Sequence, residues 1–583
     1  MVSIRHSLLL LLTLFFAHNN YGQGWGEPDQ LKNPLSTRYE QYFGTAMDIY
    51  GGTMFVTSIS GQVGQVIVYE LDSSCGWTQT QTIVSPLNNN ELGGSFGASI
   101  DIFEDMAVIG ATSLTSKDLN GNDVMGSGAA FVYTRTNAGK WILEQALAAS
   151  DLHIYAQFGL SVATNGESIA VGARNSKVKR GNEVYEHAGA VYLFKRDNSG
   201  KWIQQERFIK PEQDKGGGFG SSLLMNGSNM IIGSKSYVYD NNGQSQGIAY
   251  FYKADHLAQW SLKSRVLNPE KKVYTEFAQE AMAIEGNLLA IADPANNFDV
   301  YGKAELEYSG AVFLYRIKDD STEFIQKITA ADRSRKARFG TSLSLSNGQL
   351  AVGSPYNTVS NLTSGSVHVF EADENNRWRE HQRLLPKDRV WKDGMGFHLE
   401  QCGSQLLVAA PYAAKNGKIY VYEHSDTTLF VRSNAGVLSS SVAGSRYQWI
   451  DCHTKQAVPG ATSRCFQPKT HGSYAVQVLI GKAFVTSKCE GVWPLSAEGL
   501  QEAELAIQAY PNPASTTLFV RQSNKTEQET YLYVLDLNGK LWHQQSFRSP
   551  QTQVSINHLP AGVYILQVQT GHISRYQKIV VER

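Results

Sequence analysis

Few residue groupings in this 583-residue chain could do chemistry. Gly93–Gly97, "GGSFG", satisfies the G-x-S-x-G spacing in which a strained strand-to-helix turn presents a serine as nucleophile. That chemistry needs a helix behind the serine, and here the segment opens an alternating stretch instead. "KGGGFGSS" (Lys215–Ser222) has glycines that could cradle a phosphate, yet neither a helix nor a following lysine completes the cradle. "KDLNGND" (Lys117–Asp123) offers Asp118, Asn120 and Asp123 as oxygen ligands, and a solvated turn is favoured over a cation site. No HExxH or CxxC spacing occurs. The fourteen His are scattered, and His153, His187, His398 and His471 read as surface or packing residues rather than metal ligands. Local motifs therefore assign no catalytic, cofactor-binding or metal-ligating residue, while a site assembled from distant segments stays open.

The glycine phrases share a different property: they repeat. Phe-Gly or a near relative stands at Phe43, Phe96, Phe158, Phe219, Phe277, Phe339 and Phe397, at intervals of 53 to 62 residues. After each, an alternating stretch reaches a turn such as Asn165-Gly166 or Asn347-Gly348, the strongest short-range hairpin signal because both residues accept positive φ. A strand of small apolar residues follows ("IAVGA", "LAVGSP", "LLVAAP"), then a loop and a third strand ("GAVYLFK", "GAVFLYR"). These strands are apolar on both faces, as a sheet stacked between neighbours requires. A fourth strand begins with an aromatic: Trp77, Trp141, Trp202, Trp260, Phe324 or Trp378. Four short antiparallel strands per period describe the blade of a propeller. The seventh repeat lacks its fourth strand, and an orphan Trp25 phrase precedes the first. Residues 25 to 32 are therefore expected to pair beside Ile419–Tyr422 and close the ring, so that no sheet edge is left open.

The Phe-Gly followed by "VGSPY" or "VAAPY" resembles the FG-GAP repeats of integrin α-chain propellers and their bacterial relatives. The resemblance implies a seven-bladed propeller over residues 23–424. It departs from the family in one respect: the turns "ATNGES", "LMNGSN", "IEGN" and "LSNGQ" are too short and too poor in carboxylates for a D-x-D-x-D-G calcium loop. Loops between second and third strands vary most and emerge on one face, where rigid scaffolds bind ligands. Tyr185, Tyr237, Tyr239, Tyr301 and Tyr308 in these loops are candidate contacts to a protein or glycan, against the alternative that they pack their own loops.

Beyond the repeats, residues 428–493 read as a small β-sandwich with Trp449 and Tyr474 in its core. The segment resembles immunoglobulin-like modules of Bacteroidetes surface and secreted proteins. Cys452 with Cys489 is the preferred disulfide, with the other two pairings of Cys452, Cys465 and Cys489, or free thiols, left open. A polar linker covers 494–508. Over residues 509–583, the Pro-Asn-Pro turn, the Asn538-Gly539 hairpin and the Pro560-Ala561-Gly562 turn separate short strands. This part resembles the type A C-terminal sorting domain of the type IX secretion system, which implies the secretion machinery as a partner and the outer-membrane surface or extracellular medium as the destination. Residues 1–22, a basic pair followed by the apolar run Leu8–Ala17, read as a secretory signal. No later run is long enough to span a membrane as a helix, so no transmembrane segment is expected in the mature chain.

Charge excludes one class of partner. With 52 basic and 53 acidic side chains, and only 18% of residues charged, the chain lacks a nucleic-acid footprint. The expectation is all-β: a seven-bladed propeller closed by the N-terminal strand, followed by two small β-sandwich domains. It is expected to serve as an exported binding or adhesion protein without cofactor. The alternative is a polysaccharide- or peptide-processing hydrolase or lyase, favoured if three or more carboxylates, His or Arg converge in the propeller funnel.

Overall fold

Seven similar sheets follow one another along the chain, and the reason they do so is visible in each. A computed structural model describes residues 24–35, 41–60, 63–72, 76–86, 95–117, 122–212, 217–238, 245–255, 258–270, 275–425, 431–434, 437–442, 446–470, 472–480, 483–492, 507–510, 514–522, 530–536, 541–549, 551–560, 562–570 and 573–582. The expected signal at 1–22 and most of the 494–508 linker lie outside the described residues. In blade 3 the strands Phe158–Thr164, Ser168–Ala173, Ala190–Arg196 and Trp202–Ile209 form an antiparallel meander in that order. Blades 1, 2, 4, 5 and 6 repeat it, with outer strands Trp77–Val84, Trp141–Leu147, Trp260–Leu267, Thr322–Ile328 and Trp378–Leu384. No helix among the described residues is long and apolar enough to cross a membrane.

The core lies between blades rather than inside any one of them. Val108 and Val132 of blade 2 pack with Phe158, Val171 and Tyr192 of blade 3 in one buried cluster. Each Phe of the repeat meets an aromatic of its own third strand, for example Phe158 on Tyr192 at 5.5 Å and Phe219 on Tyr250 at 5.3 Å between centroids. Edge-on aromatic pairs of this kind add to the area they bury. Because blades stack face to face, the main chains come close enough to demand glycine. Gly189 has φ +82°, and a Cβ there would overlap the main-chain nitrogen and oxygen of Phe219 in the next blade. Gly189→Ala therefore adds backbone strain to a clash that no side-chain rotation relieves, and is expected to lower stability by about 3 kcal/mol in a denaturant titration.

Blade 7 is built from both ends of the propeller. Its strands His398–Cys402, Gln405–Ala410 and Lys418–Ser425 are joined by Gly24–Trp25 and Asp29–Lys32. Leu31 stands opposite Ile419, Gln30 opposite Tyr420, and Trp25 opposite His424. A side-chain latch, unforeseen in the sequence, explains the register. Gln81, Gln145, Gln326 and Gln382 each reach to the next blade, where the amide oxygen accepts from a main-chain N–H and the amide nitrogen donates to the same residue's carbonyl. The partners are Trp141, Trp202, Trp378 and Trp25, so Trp25 occupies the place of the other outer-strand tryptophans.

Two repeat assignments require correction. The seventh counterpart of Phe-Gly is Met395-Gly396, not Phe397-His398: Met395 bridges Gly365 just as Phe339 bridges Gly310. A buried methionine fills the Phe position, and the partly accessible Phe397 falls two residues later. Likewise, Thr322 rather than Phe324 pairs at the outer-strand start of blade 5, opposite Ile317. Phe324 lies two residues into the strand and is exposed.

Past the propeller, Val437–Ser440 pairs with Val431–Asn434 and Cys465–Phe466, while Tyr447–Asp451, Gly472–Ile480, Ala483–Thr486 and Glu490–Val492 form a second sheet. Trp449, Tyr474 and Leu438 are buried together between the two sheets. Cys452 and Cys489 form a disulfide, with 6.2 Å between their Cα atoms. Cys465 is disulfide-bonded as well, so it is not a free thiol. Arg464 ties this unit to blade 7, donating to Glu423 at 2.7 Å and to the His424 carbonyl. The last unit packs Ile507–Tyr510, Thr517–Gln522 and Gln551–Ser555 against the sheet Leu541–Phe547, Thr530–Asp536, Gly562–Thr570 and Ile573–Val581.

Candidate functional site

In a four-strand meander, the loop between strands two and three and the link to the next blade emerge on the same face. Here these segments are knitted together across blade boundaries by main-chain hydrogen bonds: Lys336 N–H to Glu307 O, Arg338 N–H to Tyr308 O, Lys392 N–H to Thr363 O and Tyr412 N–H to Asp393 O. The face is consequently a fixed surface rather than a set of independent loops. Two adjoining cavities open on it over blades 5, 6 and 7 and the start of blade 1, with volumes of about 850 and 490 Å³, sharing Tyr356 and Thr363. Volumes of this order suit a small ligand or a segment of a larger one.

Aromatic rings and cations make up most of the lining. Tyr42, Tyr356, Trp391 and Tyr412 border the larger cavity with Lys392 and Lys415, and Tyr308, Arg335, Lys336 and Arg338 border the smaller. Tyr412 is wedged edge-on between Tyr42, at 5.5 Å, and Phe397, at 5.8 Å. Burial, with neighbouring Tyr356 and Tyr42 adding, raises the Tyr412 hydroxyl pKa, so it remains a neutral hydrogen-bonding group. Trp391 is 61% exposed, with the Lys392 ammonium 4.1 Å from its ring centroid. Five lining residues hold positive φ without being glycine: Tyr308 (48°), Lys336 (61°), Arg338 (54°), Lys392 (67°) and Lys415 (65°). Such conformations cost energy and persist where surrounding structure enforces them, as at ligand clamps.

Of the tyrosines singled out in the sequence, Tyr308 lines this cleft. Tyr301 is 79% exposed at the tip of loop 294–310 and stands outside both cavities. Tyr185 packs its own loop, the alternative held open in the sequence. It is 9% exposed, sits against Val178 and Ala188, and donates to Glu183 at 2.5 Å. Tyr237 stands on the strand Asn229–Val238 opposite Gln246, and Tyr239 lies outside the described residues. The sequence reading missed Tyr42, Tyr356, Trp391 and Tyr412. A signal existed: Tyr356 and Tyr412 both follow the Pro of "SPY" and "APY", so they share one repeat position and one face.

The motifs weighed for chemistry settle elsewhere. Phe96 and Gly97 open the inner strand Phe96–Phe103 of blade 2, and Gly93 lies outside the described residues. Lys215 and Gly216 also lie outside, as do Asp118 and Asn120, while Asp123 pairs with Lys117 at 2.7 Å across a short exposed hairpin. His153 is 3.7 Å from Asp151, and His471 is not among the described residues.

A second cluster lies on the propeller axis. Asp48, Asp101 and Glu400 occupy one repeat position, five residues after Phe43, Phe96 and Met395, on the inner strands of blades 1, 2 and 7. Asp48 accepts from the N–H groups of Ile49, at 2.9 Å, and of Ile102 in the next blade, at 2.5 Å. Asp101 accepts from Thr164 N–H at 2.7 Å, again one blade on. The side chains keep some surface open to the axial channel, yet protein encloses them. Burial, then the charges of Asp101 and Glu400, pushes Asp48 well above the usual carboxylate range. Burial pushes Asp101 up to about 8, against the lowering effect of the Thr164 N–H, and Glu400 is also raised by burial. The stability consequence has a definite sign. Between pH about 4, where an unfolded Asp ionises, and about 8, the native state retains a proton that the unfolded state has released. Stability therefore falls as pH rises through that window and levels off above it. Asp101→Asn keeps an acceptor for Thr164 and is expected to flatten the decline, gaining in Tm relative to the parent at pH 9 but not at pH 4. Parallel Tm-against-pH curves for the two proteins would refute this.

A family model for the FG-GAP repeat matches residues 141–194 and 322–370, and one for a secretion system C-terminal sorting domain matches residues 508–582. No curated protein matches the chain. Among solved structures, the Pseudomonas aeruginosa periplasmic gluconolactonase PpgL is similar at 12% identity and a TM-score of 0.28, over 76% of this chain and 98% of that one. At that score the likeness carries no argument.

Proposed function

We propose, for a chain that carries FG-GAP repeats and a type IX secretion C-terminal sorting domain and is exported to the outer-membrane surface or the extracellular medium, that the propeller is a binding head. Its loop-face cleft contacts an extracellular glycan or protein. Residues 1–22 act as the export signal, the unit at 428–493 as an immunoglobulin-like spacer, and 509–583 as the address read by the secretion machinery. The observation that carries the binding reading is the gathering of five aromatic side chains and five positive-φ residues around one pair of adjoining cavities. Rigid amphipathic rings contribute contact area at little cost in conformational entropy. The test is a glycan and extracellular-protein array probed with the full mature chain. Trp391→Ala is expected to weaken capture about tenfold or more while leaving the melting temperature in place, since the ring is largely exposed. Ligands retained at full strength by that variant would reject the cleft as the binding site.

The axial carboxylates favour a second reading, a hydrolase or lyase working in the funnel. A carboxyl group titrating near 8 can donate a proton at neutral pH, and His398 lies 3.6 Å from Glu400. The binding reading is preferred because Asp48 and Asp101 already accept main-chain N–H groups that join neighbouring blades. Polysaccharide turnover abolished by Glu400→Gln but unaffected by Trp391→Ala would reverse that preference.

A further inference from the structure

We infer that the cleft takes an acidic glycan, a chain of sugar rings bearing carboxylate or sulfate groups; this rests on the binding reading above. The larger cavity has no carboxylate in its lining, but it has two lysines. Neither Lys392 nor Lys415 makes an ion pair among the described residues; the nearby carboxylate, that of Asp393, is buried and accepts the Val390 N–H at 2.6 Å. The contrast with the smaller cavity is informative. There, Arg335 bonds Glu307 at 2.7 Å, Lys336 lies 3.6 Å from Glu307, and Arg338 bonds Glu276 and Glu280 at 2.5 and 2.7 Å. Cations whose role is to hold loops have carboxylate partners, whereas the two beside Trp391 and Tyr412 are left for a ligand.

Both lysines are held at positive φ, as are Tyr308, Lys336 and Arg338 around the adjoining cavity. Their surroundings supply the rest of the recognition. Trp391, Tyr412 and Tyr356 present half-open rings, which match the apolar C–H faces of sugars, and the Tyr and Thr363 hydroxyls can bond sugar hydroxyls. Lysine is a point charge on a flexible stem, suited to an anionic group of no fixed orientation. A single-stranded nucleic acid also pairs stacking with positive charge, but it needs a groove of cations tracking many phosphates. Two unpaired lysines and a net charge of −1 do not provide one.

The experiment is calorimetric titration of the full mature chain with oligogalacturonate, chondroitin sulfate, a neutral β-glucan and oligo(dT), at low and moderate salt. Both acidic glycans, or one of them, are expected to bind at least about tenfold more tightly than the neutral glucan, and more weakly as salt rises. Lys392→Gln with Lys415→Gln should reduce the acidic affinity about 10- to 100-fold, the scale of one or two charge-assisted hydrogen bonds. The double variant should weaken acidic-glycan binding by a larger factor than any neutral-glucan binding, whereas Trp391→Ala should weaken every glycan. Equal affinity for neutral and acidic glycans, or an unaffected double variant, overturns the acidic inference and leaves the binding reading standing. Tighter binding of oligo(dT) than of either acidic glycan also overturns it. No binding by any of these probes, joined to an empty glycan and protein array, brings down the binding reading itself.

Discussion

Removal of residues 24–32 is expected to open the ring, lower the melting temperature sharply and make the protein aggregate. The deleted segment supplies the outer pairing of blade 7, from Asp29 opposite Val421 to Lys32 opposite Lys418, and places Trp25 beside His424. Trp25 is only 6% exposed and its ring lies edge-on to His424 at 4.9 Å. Trp25→Ala alone is expected to cost about 3–5 kcal/mol, as for other buried tryptophans truncated to alanine. The deletion adds the loss of a strand, leaving Lys418–Ser425, with its Ile419, Tyr420 and Tyr422, as an unpaired edge and a template for pairing with other chains. Scanning calorimetry and light scattering on the two proteins decide the matter. A truncated chain that stays monomeric with an unshifted Tm would show that closure contributes nothing.

Lys327→Met is the other substitution with a large expected effect. The Lys327 side chain is 6% exposed, and its ammonium donates to Glu270 Oε1 at 2.7 Å, Asn296 Oδ1 at 3.1 Å and the carbonyls of Phe298 and Asp299 at 3.0 and 2.9 Å. A lysine thus sits among four oxygens inside the 294–310 loop, the kind of cage in which a cation is otherwise found. Burial lowers its pKa, and the Glu270 carboxylate opposes that shift. Methionine conserves volume but takes the ammonium away from Glu270 and three further oxygens. The expected loss is about 3–5 kcal/mol, the range for breaking a buried ion pair from one side. Hydrogen exchange should quicken in 294–310 before the rest of the propeller, because Lys327 holds that loop through the Phe298 and Asp299 carbonyls. Unchanged exchange there would refute the role.

The repeat was legible because blades are built by local rules. Asn-Gly turns, alternation after each Phe and small-residue second strands all follow from spacing of a few residues. Errors arose where one residue stood in for another without altering the geometry. Met395 fills the hole of a Phe, and Thr322 begins an outer strand in place of a Trp, so a search for aromatics slid by two residues in each case. Tyr185 fell on the alternative that the sequence had left open: a tyrosine in a variable loop can as well cover its own hairpin as meet a ligand, and only burial distinguishes the two.

By itself, the sequence determined the class of fold, the strand-by-strand content of the blades, the closing role of residues 25 to 32 and the address at the C-terminal end. All of these depend on periodicity and turn chemistry, which act over short stretches of chain. Tertiary structure alone decided that Tyr42, Tyr356, Trp391 and Tyr412, hundreds of residues apart at the extremes, border one cavity with Lys392 and Lys415. It also brought Asp48, Asp101 and Glu400 onto one axis. Ring closure sets the first blade beside the last, and no pattern within a single repeat encodes which side chains then face each other across the join.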